Sequence, residues 1–580
     1  MKRNRGITLI ALVVTIVVLL ILAGTTIAML TGENGIIARA AKAKEATDKA
    51  ASEEESGLQR TLQEIASRVP SVEGYNDIKK VNSPKLAEGM IPIKWDKSKN
   101  KWVICSENDP EWYNYSSKKW ANVMLSDGEY KAGEAEGTEV EDSQLGSMYV
   151  WIPRYAYTIS NSNNEHKINV TFVKGNTNEG VDGREFTTDE SVDTTKTELV
   201  HPGFNLGGSA LTGIWVAKFE ASGTDAQGNA VGNAKEGITN ASEVKPTNGP
   251  DNTTIVKSLP NKISWRHISI GDCEKRSIDI ATTNKEAYGI ENVSSHLIKN
   301  SEWGAVAYLC YSEYGSVPQI NGAGETNTSP WYVYNIYTGQ GPKANKNEGS
   351  YHKEDDSNNY STTNGMLAST TGNTTGVYDM NGGAWEYVAA YIDNENSNLN
   401  AGGKYFINRQ LNEAYTSLWD KYEASEEEKN NAIRIEDGTT LTQSELWDDS
   451  NQKRDEKYQK VRKRLTQAVF DGMAKHKGIG VNEMVTTFAY YTIYQNTSGN
   501  NTRGYFIDPE VAAAEKTKEQ YISGVARSWD NDLIRIGHSS VPFVLRGGYF
   551  GFGGYAGVFY SDANHGYGNS VIGFRPVVVV

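Results

Sequence analysis

The stretch from Tyr549 to Ile572, YFGFGGYAGVFYSDANHGYGNSVI, holds seven aromatic residues and six glycines, and no Lys, Arg, Glu, Gln, Leu, Met, Trp, Pro or Thr. A segment so poor in branched aliphatics does not read as a core strand. One so rich in rings is not a flexible Gly/Ser linker. The rest of the chain must therefore supply a stiff frame that carries it. Tyr, Ser, Gly, Asn and Asp on loops are the residues of binding surfaces, because rings give contact area with few rotors and small polar groups give adaptable hydrogen bonds. A second regularity concerns codons. Every residue type in the stretch is reached from an asparagine codon by changing its two adenines. Lys, Glu, Gln, Met and Trp are not. The flanks, Leu545-Arg546 and Arg575-Pro576, bring in residue types that the stretch lacks.

The chain begins MKRNR, then Gly6, then runs apolar from Ile7 to Leu30. A helix of that length, at about 1.5 Å per residue, covers the ~30 Å hydrocarbon core of a bilayer. The basic residues before it hold that end in the cytoplasm, which puts the C-terminal bulk outside. The segment RGITLIALVVTIVVLLILAG resembles the class III leader of type IV pilins. The resemblance implies cleavage after Gly6 and a new N-terminus at Ile7. That family carries a glutamate five residues past the cut, where this chain has Ala11, so a pilus subunit and a plain membrane anchor both stay open. From Ile36 to Arg68 good helix formers dominate, and Leu58, Leu62, Ile65 and Val69 form one stripe before Pro70, as in a solvated stalk.

A net charge of −14 argues against a nucleic-acid partner or an anionic lipid surface. Cys105, Cys273 and Cys310 have no metal-binding spacing and form no complete disulfide framework. From residue 75 to about 200 the pattern is β. Met90–Trp95 and Lys101–Cys105 flank a DKSKN turn, Ser147–Ile152 is a buried run, and Thr212–Phe219 is the next strong strand.

Two signatures follow. Asn300-Ser-Glu-Trp-Gly-Ala-Val-Ala-Tyr-Leu309 reads as an amphipathic helix that Ser301 can cap, with Trp303, Val306, Ala307 and Cys310 on one face. Gly376–Tyr387, GVYDMNGGAWEY, reads as a tight Asn-Gly-Gly turn with an aromatic exit. With the later LRGG at Leu545 and GFRPV at Gly573, this order resembles the formylglycine-generating-enzyme branch of the C-type-lectin fold. Here a second turn glycine stands where that family usually has Asn. The resemblance implies an α+β chain. Its parts would be a leader (1–6), a transmembrane and stalk helix (7–69), a β-rich region (70–200) and a C-type-lectin-like domain (201–580). Residues 392–530 would be a helical insertion within it: by their own pattern Lys421–Lys475 are densely charged, with an apolar stripe from Leu446 to Phe470 at mostly helical spacings, and Pro509–Ser523 read as one more helix. Within that branch the chain is similar to the variable proteins of diversity-generating retroelements, in which adenine-directed mutagenesis rewrites the ligand-binding stretch ahead of the last strand. The displayed set would be Tyr549, Phe552, Tyr555, Tyr560, Asp562, Asn564, His565, Tyr567, Asn569 and Ser570. The rigid frame would be Gly547, Gly548, Ala556, Gly557, Val558, Phe559 and Gly573.

An enzymatic role finds no support in the residues. The oxidase of the lectin-fold branch works through late cysteines, and this chain has none after Cys310. Its eight histidines are scattered, without HxxxH or HExxH, so neither a metal centre nor a cofactor is expected. The string GFGGYA at Gly551 lacks the strand–turn–helix setting of a dinucleotide site. The expectation is a surface-displayed, receptor- or adhesin-like binding protein. Its ligand would be a protein or glycan on another cell, phage or host surface. The alternatives are a structural minor pilin and, behind it, an enzyme of the oxidase branch.

Overall fold

The computed structural model describes residues 72–160, 167–224, 255–316, 336–340, 358–393, 417–423, 541–551 and 556–580, with Lys42, Val333 and shorter stretches between 396 and 535. Residues 71–580 form one compact unit, and residues 1–70 are a separate one.

The architecture rests on two eight-stranded sheets. The first takes β1 (Met90–Asp96), β2 (Lys101–Ile104), β3 (Asn122–Leu125), β4 (Glu139–Val140), β5 (Met148–Pro153), β6 (Gly213–Ala217), β7 (Ser294–Leu297) and the strand Pro576–Val579. The second takes β8 (Trp385–Asp393), β9 (Asp420–Glu423), β10 (Thr487–Phe488), β11 (Val525–Arg527), β12 (Leu533–Arg535), β13 (Phe543–Arg546), β14 (Ser561–Asn564) and β15 (Ile572–Phe574). The strand Pro576–Val579 is β16. The order in the first sheet is β7-β16-β6-β5-β3-β1-β2-β4. It therefore draws on both sides of the boundary placed at residue 200. Strand β16 lies inside it, with Val578 opposite Trp215 on one side and Ser295 on the other. The run Ile572–Val580 divides at Arg575: β15 pairs with β8 in the second sheet, and β16 completes the first.

The strands form where β-branched and aromatic residues concentrate. The segment MYVWIP of β5 is buried at every position, as expected for a strand covered on both faces. Trp151 and Trp215 face each other across β5 and β6 with ring centroids 5.2 Å apart. One large core cluster runs from these rings through Trp303 and Tyr308 to Val577 and Val578.

The expectation of an α+β chain led by a transmembrane and stalk helix is corrected. The described residues are mostly strands. They carry three short α-helices: α1 (Ile270–Asp279, 10 residues), α2 (Lys285–Tyr288, 4 residues) and α3 (Asn300–Cys310, 11 residues). Among the described residues no helix is long and apolar enough to cross a membrane. The segment 7–69 lies outside the described residues apart from Lys42. The helical insertion is corrected too. Asp420–Glu423, Ala432–Arg434 and Thr440–Thr442 are strands, and β9 runs parallel to β8 with Tyr422 buried against it. Pairing with a sheet edge overrides the helix propensity of a charged segment here. The stripe from Leu446 to Phe470 and the segment 509–523 lie outside the described residues.

Helix α3 forms where expected but is not amphipathic. All of its residues are buried. Ser301 sits inside it, and the N-cap is Lys299, whose backbone N–H donates to Glu302 (2.8 Å). The Ser301 N–H donates instead to Asp420 Oδ2 at 2.7 Å, so strand β9 closes the first turn. Gly304 permits a close approach: a Cβ there would lie 1.8 Å from the backbone oxygen of Gly478. Gly304→Ala should therefore cost about 1–3 kcal/mol by overpacking, despite the better helix propensity of Ala. A urea melt of the full-length chain checks this, and an unchanged or raised midpoint contradicts the packing.

Candidate functional site

The C-terminal stretch is anchored first by its flanks. Arg575 is fully buried and grips Glu386 of β8 with two bonds, Nε to Oε2 at 3.1 Å and Nη2 to Oε1 at 2.7 Å. It also donates to the carbonyls of Ala217 and Tyr378, each at 2.9 Å. One side chain thus ties together β6, β8 and the turn before β8. Arg546 is equally buried and donates to the carbonyl of Ile479 at 3.0 Å. The Asn381-Gly-Gly turn places Gly383 at φ +66°, where a Cβ would lie 2.2 Å from Glu220 Oε1. That approach leaves no room for the Asn common in the resembled family. Gly548, at φ +77°, would bring a Cβ within 2.5 Å of the Ala556 Cβ. The loop after the RGG turn therefore folds back directly onto that turn.

Three carboxylates cluster behind this frame. Burial, then the neighbouring Glu386 and Asp379, push Glu220 well above the usual carboxylate range. Burial also pushes Asp379 up to about 7, partly opposed by the Gly339 N–H and by Arg575. An unfolded Asp titrates near about 3.9, so the native state holds this proton more tightly. Stability from this group is then full below about pH 4, falls as pH rises, and is gone above about pH 7. Asp379→Asn keeps an acceptor for Gly339 and a residue that tolerates φ +66°. Its thermal midpoint should fall less between pH 4 and pH 7 than that of the parent. Identical slopes would mean that Asp379 is not protonated in the fold.

The stretch itself divides in two. Ala556, Val558, Phe559 and Tyr560 are buried. Trp303 Nε1 donates to the Val558 carbonyl at 2.8 Å, and the Phe559 N–H donates to Asp532 at 2.8 Å. Tyr560 belongs to this inner set, contrary to its expected display: it is fully buried, and its hydroxyl donates to Asp562 Oδ2 at 2.7 Å. Asp562 is drawn in with it, and its other oxygen accepts from the Ala563 N–H. The outer set is Tyr549, Asn564, His565, Tyr567, Asn569 and Ser570. Tyr567 is 37% exposed and the others are half-buried. The rings of His565 and Tyr567 stack with centroids 5.9 Å apart. Phe552, Tyr555, Gly6 and Ile7 lie outside the described residues.

The loop 565–571 is fastened mainly through its main chain. The buried Arg266 guanidinium donates to the Ser570 carbonyl. The His267 N–H donates to the Asn569 carbonyl (2.8 Å), and the Ile270 N–H at the start of α1 donates to the Gly566 carbonyl (3.1 Å). The Tyr387 hydroxyl lies 2.8 Å from the Tyr567 carbonyl and 2.9 Å from Asn564 Oδ1. Asn564, at the end of β14, accepts from the Gly566 N–H through its side chain, and within the loop the Asn569 side chain accepts from the Val571 N–H.

Sequence reasoning missed Trp385, Tyr387 and Arg266. Trp385 is partly exposed and lies 4.6 Å from the Tyr549 ring, forming a fixed floor beside the outer set. The alternation Trp385-Glu386-Tyr387 carried the signal, since a strand sends the two rings to one face and the carboxylate to the other. Nothing local marked Arg266. Among the described residues no group of His, Cys, Asp or Glu could hold a metal ion. The three cysteines are free and buried, and burial raises each thiol's pKa. No family model and no curated protein matches the chain.

Proposed function

We propose that the chain is a surface-displayed ligand-binding protein, receptor- or adhesin-like, whose binding site is a diversified C-terminal loop region. The outer residues Tyr549, Asn564, His565, Tyr567, Asn569 and Ser570 contact the ligand over a floor that includes Trp385. The ligand is a macromolecule, a protein or glycan on another cell, phage or host surface. The basic-then-apolar start of the chain supports the location.

The observation that carries this reading is how the loop is held. Arg266, Tyr387 and two backbone N–H groups of the frame grip main-chain carbonyls from Gly566 to Ser570. A loop held by its carbonyls keeps its path when its side chains change. Rings, amides and an imidazole on such a loop supply contact area and hydrogen bonding at low cost in rotamer entropy. The same arrangement supports descent from a variable protein of a diversity-generating retroelement, where tolerance to substitution is the requirement.

The test is to sequence the 3′ end of the gene across many isolates, together with the flanking DNA. The expected result is a neighbouring near-copy differing only at adenines. Substitutions should be confined to codons of the outer set and absent from those of Gly557, Phe559 and Arg575. A uniform 3′ end with no near-copy would sink the diversified site.

A further inference from the structure

A cleft of about 560 Å³ lies apart from the C-terminal loop, bounded by the segment 176–210, the start of α3, residues 417–422 and residues 476–479. That volume suits a small molecule, since such sites run from about 300 to 1,000 Å³. The charges of its wall decide which kind.

Most of these charges are balanced. Lys299 lies 3.2 Å from Asp420. Lys421 is answered by Asp393 at 2.8 Å and by Glu423 at 2.9 Å. His476 lies 3.6 Å from Glu190. Lys477 makes no ion pair among the described residues, but its own N–H donates to the same Glu190 carboxylate at 3.0 Å, so a counter-charge stands beside it.

Arg154 is the exception. It lines the cleft at 3% exposure, and every partner of its guanidinium is neutral. Nε donates to the Thr177 carbonyl at 3.0 Å, Nη1 to the Phe204 carbonyl at 3.2 Å and Nη2 to Asn178 Oδ1 at 3.1 Å. These bonds use three of the five N–H groups and leave the charge itself unanswered. Burial pushes the guanidinium down to about 10, and no neighbouring carboxylate opposes it. The buried Arg575 and Arg546 differ, because Glu386 and Asp532 respectively favour their charge. A buried charge without a counter-ion is costly, and a ligand that supplies one recovers that cost. A guanidinium fork offers parallel N–H groups to an oxyanion. With one charge left over in the wall, a monoanionic carboxylate balances it, whereas a phosphate dianion exceeds it. We propose that the cleft binds a small organic acid, seated by its carboxylate on Arg154, independently of the C-terminal loop region.

The experiment uses the full-length chain at neutral pH, with calorimetry and thermal melts. The probes are acetate, benzoate and hexanoate, with benzamide and hexanamide as neutral counterparts and inorganic phosphate as the dianion. At least one acid is expected to bind, about tenfold or more tightly than its amide, as a hydrogen-bonded charge requires. Asn178→Asp then tests the site without emptying it. The substitution keeps the shape of Arg154's acceptor and gives the guanidinium a carboxylate of its own. It should raise the thermal midpoint of the ligand-free chain and weaken the acid by about tenfold or more. Tyr567→Ala, which belongs to the loop site alone, should leave acid binding unchanged. The assignment is overturned if no acid binds, if an amide binds as tightly as its acid, or if phosphate binds more tightly than every acid. It is overturned equally if Asn178→Asp leaves acid binding intact, or if Tyr567→Ala abolishes it.

Discussion

Arg575→Ala should destabilise the chain by about 3–5 kcal/mol, the cost of stripping one partner from a buried ion pair. Its guanidinium holds both oxygens of Glu386 and the carbonyls of Ala217 and Tyr378, and no atom of it reaches solvent. Alanine would leave the Glu386 carboxylate buried beside Glu220 and Asp379. It would also take the guanidinium donor away from two carbonyls at the crossing between the sheets. Urea denaturation of the full-length chain reads the loss directly. The pair Arg575→Met with Glu386→Gln removes both charges together, and should recover most of the stability that Arg575→Ala loses. If Arg575→Ala unfolds at the parent's midpoint, the two sheets are not joined through this side chain.

The second large effect separates two tyrosines seven positions apart. Tyr560→Ala empties a fully buried site and removes the donor to Asp562, so a loss of about 3–5 kcal/mol is expected. Tyr567 is 37% exposed, and the Tyr387 hydroxyl holds its carbonyl, so Tyr567→Ala should stay within about 0.5 kcal/mol of the parent. Ligand capture should respond in the opposite sense: Tyr567→Ala weakens it, while Tyr560→Phe, which keeps the buried ring, leaves it unchanged. Equal stability losses at the two positions would erase the division between inner and outer residues on which the proposed binding site depends.

The strands and α3 were legible in the sequence because their patterns are strong and local. Met90–Trp95, Lys101–Cys105, Ser147–Ile152 and Thr212–Phe219 match β1, β2, β5 and β6 to within two residues at each end. Composition also picked out the loop that carries the outer residues. It could not say which rings turn inward. Tyr560 and Tyr567 differ in the path of the chain around them, and that path is set by Gly548 folding against Ala556, where two separate turns meet. The complete burial of α3 escaped for a related reason. Ser301 read as the cap of a helix with one apolar face, whereas the Gly478 loop and Asp420 cover Gly304 and Ser301, and both covers come from more than a hundred residues away. The helices expected near residue 421 rested on charge and spacing alone, whereas β9 is made by the edge of β8.

One consequence of strand β16 concerns synthesis. It lies between strands that begin at residues 213 and 294, so the first sheet cannot close until translation has passed residue 579. A frameshift or premature stop anywhere in the Gly-and-ring stretch would delete that inner strand and leave two raw edges for proteases. The proposed rewriting just upstream of this strand would then carry an inspection step, because only copies read in frame through residue 579 complete the first sheet.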